Sequence, residues 1–149
     1  MKGFLETTYN KIPFSVKVGY LYSHDDFWVD IRGNMATVGL SEFLQKSKGE
    51  VAFLEIIEPG VPVRRGQELG TIETTKATFR IISPVTGKLV EVNSELKASP
   101  TLINSDPYGT GWICKIELTD PEGIKGELLQ AESYMKVMIA KLEKGTKKQ

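Results

Sequence analysis

Side chains that commonly perform catalysis are scarce in this chain of 149 residues. The sequence holds one histidine, His24, and one cysteine, Cys114, and no glycine-rich loop of the phosphate-binding or dinucleotide-binding type. Asp25 and Asp26 follow His24, but consecutive residues point in different directions, so we predict a solvated turn rather than a metal site. Cys114 falls on the inward face of an alternating strand pattern, which favours a packed core thiol over a nucleophile.

One lysine remains as a residue that could carry chemistry. Lys76 lies between two strand patterns, among small and β-branched residues at 74–78. This arrangement predicts a lysine at the tip of a hairpin, either as an ordinary surface residue or as one that carries chemistry. Spacing alone favours an ordinary solvated lysine, so the pattern leaves both interpretations open.

Short strands must position this lysine. Turn residues recur every eight to twelve positions, which is typical of a small β sandwich or barrel. A short helix is predicted from the N-cap Ser41 to Gly49, and apolar spacing predicts a second helix over 124–144. The strand patterns cover residues 27–31, 35–40, 51–57, 79–82, 88–92 and 112–118.

We divide the chain into four segments. Residues 1–19 form an irregular, mostly loose N-terminal arm whose apolar side chains are available to dock on the rest. Residues 20–120 form the β-rich domain, and a C-terminal helix within 121–144 packs on it. Residues 145–149 are a basic, frayed tail.

Composition excludes several classes of partner. Lys and Arg total 19, as do Asp and Glu, so we expect no nucleic acid partner. No window approaches the roughly 20 apolar residues of a membrane span, so we expect no membrane insertion. The single cysteine and the absence of a signal-peptide pattern lead us to expect a cytoplasmic protein.

Several motifs resemble those of one known family. Glu-Thr-Thr-Lys-Ala at 73–77 resembles the Glu-Ser-Val-Lys-Ala lipoylation motif of glycine cleavage H proteins. The segment 104–112 resembles the family's Asn-x-Asp-Pro-Tyr-Gly-x-Gly-Trp, and the resemblance runs from Tyr22 to the C-terminal helix. It implies a mainly β, lipoyl-domain-like barrel-sandwich hybrid with a short internal helix and a C-terminal helix. Other segments in the family's order are 36–40, 66–70, 83–87 and 91–93.

The resemblance implies a carrier protein rather than an enzyme. Lys76 would be acylated by a lipoate ligase or lipoyl transferase, and the covalently attached lipoate would do the chemistry as a swinging arm. Glu73, Gly66 and Gly70 are expected to shape the hairpin surface that this enzyme recognises. Lipoyl and biotinyl modules of multienzyme complexes usually carry Asp-Lys-Ala or Met-Lys-Met, which Thr75-Lys76-Ala77 does not match.

Two positions depart from the family pattern. Phe27 replaces the Glu of the family's His-Glu-Trp segment, and Arg80 replaces the acid four residues after the modified lysine. The family's acids lie near a cationic aminomethyl load, so Phe27 and Arg80 are expected to line the arm or its load and to favour a neutral or anionic one. This reasoning favours a lipoate-binding protein of heterodisulfide-reductase-like sulfur oxidation, partnered by that complex.

Two alternatives stay open. In the first, the chain is a glycine cleavage system H protein that carries the aminomethyl group between glycine decarboxylase and aminomethyltransferase, with dihydrolipoamide dehydrogenase as a further partner. In the second, it is an unmodified paralogue that serves as a scaffold or binding module.

Overall fold

The computed structural model describes residues 3–147 and consists mainly of antiparallel strands. The strands are β1 (Phe4–Tyr9), β2 (Ile12–Lys17), β3 (Leu21–Tyr22), β4 (Phe27–Arg32), β5 (Met35–Leu40), β6 (Val51–Ile56), β7 (Pro62–Val63), β8 (Glu68–Thr74), β9 (Thr78–Ile82), β10 (Gly87–Val92) and β11 (Cys114–Leu118). The helices are α1 (Glu42–Lys48), α2 (Leu102–Ser105), α3 (Pro121–Glu127) and α4 (Ala131–Lys147), with a 3₁₀ turn at Ser94–Lys97.

Three sheets form a sandwich with barrel character. The largest has six strands in the order β3–β4–β5–β11–β10–β7, and a second has three in the order β6–β8–β9. The third is the hairpin β1–β2. The mainly β, barrel-sandwich prediction is confirmed.

A continuous apolar core joins the two larger sheets. Val38, Leu89 and Ile116 contribute to it from the six-stranded sheet, and Ile72 and Ile81 from the three-stranded sheet; all five are fully buried. Their burial follows from the alternation of strand side chains, which sends every second residue inward. Because this core holds β8 and β9 in place, the loop that joins these two strands has a fixed base.

Residues 4–17 form an ordered hairpin, in contrast to the loose arm expected for residues 1–19. β1 and β2 form a hairpin whose turn residues, Asn10 and Lys11, both have positive φ, as a two-residue hairpin turn requires. Phe14 and Val16 are buried in a second apolar cluster with residues of α1 and α4. Apolar packing against these helices therefore holds the segment in place.

Two helices replace the single one expected over 124–144. α3 begins with Pro121 after the cap Asp120, whose side chain accepts a hydrogen bond from the Gly123 N–H. The break before α4 has a specific cause, because the backbone of Leu129 exchanges two hydrogen bonds with Tyr22 of β3. A backbone committed to a β-bridge cannot also continue the helical hydrogen bonds.

The remaining predictions have mixed outcomes. α1 agrees closely with its prediction, since the Ser41 hydroxyl accepts a hydrogen bond from the Leu44 N–H and Gly49 follows the last turn. The strand predicted over 51–57 is present as β6, but it lies at a sheet edge and exposes Phe53. Within residues 3–147, no helix is long and apolar enough to cross a membrane.

Candidate functional site

Lys76 lies exposed in the three-residue loop, Thr75 to Ala77, between β8 and β9. Hairpin loops of two or three residues usually need positive φ at one or more positions. None of Thr75, Lys76 and Ala77 has a positive φ. The loop must therefore be held by something other than the usual turn backbone.

The side chain of Thr74 supplies that support. Its hydroxyl oxygen accepts hydrogen bonds from the backbone N–H groups of Ala77 at 3.0 Å and Lys76 at 3.2 Å. The same hydroxyl donates to the carbonyl oxygen of Lys48, 2.5 Å away, and the Thr74 N–H donates to the Ala77 carbonyl at 2.8 Å. Thr74 is 7% exposed, so little water competes for these bonds.

The end of α1 forms a platform beneath the loop. The Thr75 N–H donates to the Glu50 carbonyl at 3.1 Å. A Cβ atom at Gly49 would stand 3.3 Å from Lys76 Cγ and from the Thr75 hydroxyl, and Gly49 also has a φ of +93°. Glycine thus lets the helix end approach the stem of the lysine closely.

Asn104 fastens this platform to the body of the protein. Its amide oxygen accepts from the Val51 N–H at 2.8 Å, and its amide nitrogen donates to the Gly49 carbonyl at 3.0 Å and to the Gln45 side chain at 2.9 Å. Asn104 belongs to the family motif at 104–112 and Thr74 to the motif at 73–77, but neither motif assigns a role to these two side chains. A threonine in a β-rich segment is ordinary, so no signal in the sequence identifies its hydroxyl as the loop support.

Glu73 is brought to the lysine loop, whereas Gly66 and Gly70 are not. Glu73 is exposed on the outer face of β8, opposite Thr78 of β9. Gly66 lies in the turn before β8, at its other end, which is roughly 25 Å along the strand from Lys76. Gly70 lies within the sheet, where a Cβ atom would meet the Glu55 carbonyl oxygen at 1.9 Å.

The prediction for these two glycines is therefore corrected. Gly66 has a φ of +91° and closes a turn by donating its N–H to the Ser83 carbonyl. Gly70 permits β6 and β8 to lie close together. Both residues shape the sheet rather than the surface around the lysine.

From the sequence, Phe27 was expected to lie on the surface that the arm or its load contacts. The structure does not place it there. It is 1% exposed and belongs to the main core. β4 is covered on both faces, because Phe27 and Val29 enter the main core while Trp28 packs in the second cluster. A side chain buried in this way is not available to a group carried outside the fold.

Arg80 does lie on the surface, on β9. Its side chain is 68% exposed, and its Nε lies 3.8 Å from a carboxylate oxygen of Glu68. Arg80 lies on the strand that follows the lysine loop, and its place beside the arm or its load stays a prediction. The opposed carboxylate offsets part of the positive charge that Arg80 was expected to present.

The turn at 24–26 differs from its prediction in one residue. His24 and Asp25 are exposed, but Asp26 is 6% exposed and accepts hydrogen bonds from the Tyr134 hydroxyl at 2.8 Å and from Lys141 at 2.8 Å. Asp26 therefore ties α4 to the start of β4. Among the described residues, no cluster of His, Cys, Asp and Glu could hold a metal ion.

Cys114 is buried, as predicted. Its thiol is fully inaccessible, and burial raises its pKa to about 12. A neutral, inaccessible thiol is a poor nucleophile. Of the candidates for covalent chemistry, only Lys76 combines exposure with a fixed backbone.

Comparisons with known proteins agree with this geometry. A family model described as Glycine cleavage H-protein matches residues 19–141. Among curated relatives, the glycine cleavage system H protein of Carboxydothermus hydrogenoformans is 40% identical over 117 residues, which cover 78% of this chain and 89% of that protein.

Two further relatives extend the comparison. The mitochondrial glycine cleavage system H protein of Pisum sativum is 42% identical over 118 residues, which cover 79% of this chain and 71% of that protein. The crystal structure of a glycine cleavage system H protein from Mycobacterium marinum has a TM-score of 0.72 and 32% identity, and the match covers 80% of this chain and 95% of that one.

Proposed function

This chain belongs to the glycine cleavage H-protein family, and we propose that it is lipoylated on Lys76 and carries the aminomethyl group between glycine decarboxylase and aminomethyltransferase. As a member of a family of lipoyl carriers, it is a carrier and not a catalyst. The single observation that carries the proposal is the exposed amine of Lys76 on a loop that Thr74 holds in place.

The residues around Lys76 fit an acylated lysine. The side chain is exposed, and its stem lies against the backbone of Gly49, so an amide at Nζ would project away from the body. Lipoate joined there supplies a dithiolane that accepts and releases a group and two electrons. The protein's own contribution is to present the amine on a loop whose backbone does not have to be ordered when an enzyme binds it.

Sulfur oxidation receives less support than glycine cleavage. That hypothesis depended on Phe27 and Arg80, of which the first is buried and the second faces Glu68. The relatives described above are all named as glycine cleavage system H proteins. We therefore replace the interpretation favoured in the sequence analysis with its first alternative.

The proposal predicts a lipoyl adduct on one residue. The purified chain, incubated with lipoate, ATP and a lipoate ligase, should gain one lipoyl group by intact-mass spectrometry, and Lys76→Arg should gain none. Lys88→Arg, which changes another exposed lysine on β10, is the matched control and should be modified like the wild type. An adduct that persists in Lys76→Arg would contradict the assignment, and a wild type that is never modified would support the unmodified scaffold.

A second measurement separates the pathways. The lipoylated wild type should support exchange between glycine and bicarbonate catalysed by glycine decarboxylase, and it should pass the aminomethyl group to aminomethyltransferase. Its reduced arm should be reoxidised by dihydrolipoamide dehydrogenase. A lipoylated protein that fails the exchange would overturn the glycine cleavage role while leaving the carrier role intact.

A further inference from the structure

We propose that the outer face of the three-stranded sheet, centred on Phe53, is the docking surface for the enzyme that acylates Lys76. The inference rests on the proposed function, because it takes Lys76 as the modified residue. It adds a binding surface, an anchor residue and the chemistry of the partner's complementary face.

Phe53 exposes a large apolar side chain to solvent, which is energetically unfavourable. It is 52% exposed, the largest value among the exposed large apolar side chains of the described residues. Its neighbours along β6, Ala52 and Glu55, are exposed as well. Aromatic residues in such positions are frequent anchors of protein interfaces, where their burial contributes much of the binding energy.

The position of Phe53 links it to the lysine loop. It pairs with Glu73 across β6 and β8, and Glu73 in turn pairs with Thr78 of β9. Glu73 precedes Lys76 by three residues, so Phe53 lies roughly 10 Å from the base of the lysine. An enzyme that encloses the Lys76 side chain and approaches along this face must cover Phe53.

A groove beside Phe53 offers room for a partner's side chains. It has a volume of about 490 Å³, runs along β6 and is lined in part by Leu54, Ile56, Leu96 and Pro100. β6 pairs with β8 on one side only, so its other edge is open to this groove. The surface thus combines an aromatic anchor with an adjacent depression that is lined by these apolar side chains and also by Glu55, Glu58 and Lys97.

Charge identifies the kind of partner. Glu55 and Glu73 are exposed on the same face as Phe53, and neither forms an ion pair with another residue in the range 3–147, whereas Arg80 on this face is opposed by Glu68. The complementary face is therefore an apolar pocket bordered by Lys or Arg side chains. A second copy of this chain would place like charges opposite one another, which disfavours self-association through this face.

The test compares lipoylation kinetics of the full-length chain. With a lipoate ligase, lipoate and ATP, Phe53→Ala should raise the KM for the protein substrate about tenfold or more, with kcat within about twofold, because truncating an anchor weakens binding rather than the acyl transfer. Val90→Ala on β10 of the other large sheet also removes an exposed apolar side chain, and its KM should equal that of the wild type.

Three further readouts separate a loss of docking from a loss of folding. Lys76→Arg cannot be acylated and should inhibit modification of the wild type competitively, whereas the double variant Lys76→Arg with Phe53→Ala should inhibit at least tenfold less well. Glu55→Gln should raise KM and weaken its dependence on salt. Thermal unfolding of Phe53→Ala should match that of the wild type, since the side chain is half exposed.

The outcomes separate this inference from the proposed function. Equal KM values for Phe53→Ala and the wild type would overturn the docking surface while leaving Lys76 as the modified residue. A defect confined to glycine decarboxylase or aminomethyltransferase assays would assign the face to another partner and also overturn it. A wild type that is never acylated would instead refute the proposed function.

Discussion

The hydroxyl of Thr74 is the residue-scale feature that most directly fixes Lys76. It accepts hydrogen bonds from two backbone N–H groups of the loop and donates one to the Lys48 carbonyl at the end of α1. One side chain thus holds a loop that has no residue with a positive φ. A serine could make the same three hydrogen bonds. A valine has almost the same shape but could make none of them.

Thr74→Val should therefore slow lipoylation of Lys76. We expect kcat/KM to fall about tenfold or more, because the loop must then be ordered at the time of binding, and the free energy of unfolding to fall by about 1–3 kcal/mol because two backbone donors and the Lys48 carbonyl lose a buried partner. Ligase kinetics and urea unfolding measure the two effects.

Thr74→Ser is the matched control for this prediction. It should restore most of the lipoylation rate, although it loses the buried methyl group and a little stability. Unchanged kinetics in Thr74→Val would show that the loop does not depend on this hydroxyl.

At the scale of elements, the N-terminal hairpin and α1 act as one unit. The backbone N–H and the hydroxyl of Ser15 donate to the two carboxylate oxygens of Glu42 at 2.9 Å each, and Tyr108 donates its hydroxyl to the Ser15 carbonyl at 2.7 Å. The hairpin precedes residue 19, where the match to the family model begins. The hairpin lies outside the matched region. It supports α1, whose C-terminal end contacts the lysine loop.

Phe14→Ala should destabilise the protein strongly. Phe14 is 5% exposed and its ring lies 6.0 Å from that of Phe43 in α1. Removing a buried Phe costs about 3–5 kcal/mol, which urea unfolding would measure. Ile12→Ala on the same strand removes a side chain that is 49% exposed and should cost less than about 1 kcal/mol. Equal losses in the two variants would indicate that the hairpin is not docked through Phe14.

At the scale of the whole molecule, buried cysteine and tyrosine side chains lower the stability of the fold at high pH. Burial raises the pKa of Cys114 to about 12, and burial also raises the pKa values of Tyr22, Tyr108 and Tyr134. Each group keeps its proton in the folded protein but loses it near pH 9 to 10 when unfolded. The unfolded state therefore binds fewer protons above that range, and stability falls as pH rises.

We expect the free energy of unfolding to decline from about pH 9 upward. Urea unfolding between pH 7 and 11 would measure the decline. Cys114→Ala removes one of the titrating groups and should make the decline shallower between pH 9 and 10.5, with a lower starting stability. A stability that is constant over this range would contradict the burial of these groups.

The local sequence determined much of this fold and the position of its candidate site. Alternation and turn residues indicated a mainly β sandwich, and Ser41 and Gly49 marked the ends of α1, because hydrogen-bonded caps and strand alternation depend on near neighbours. The same local pattern placed Lys76 at a hairpin tip, where the structure has it. The motif at 73–77 then indicated its chemistry.

Tertiary structure alone decided which faces are covered. Alternation shows that Phe27 and Trp28 point in opposite directions, but not that a second layer covers each of them. For the same reason the sequence did not show that Asp26 is buried under α4, or that Phe53 is left uncovered at a sheet edge. Burial depends on which distant segments pack together, and that is a property of the whole chain rather than of any stretch of it.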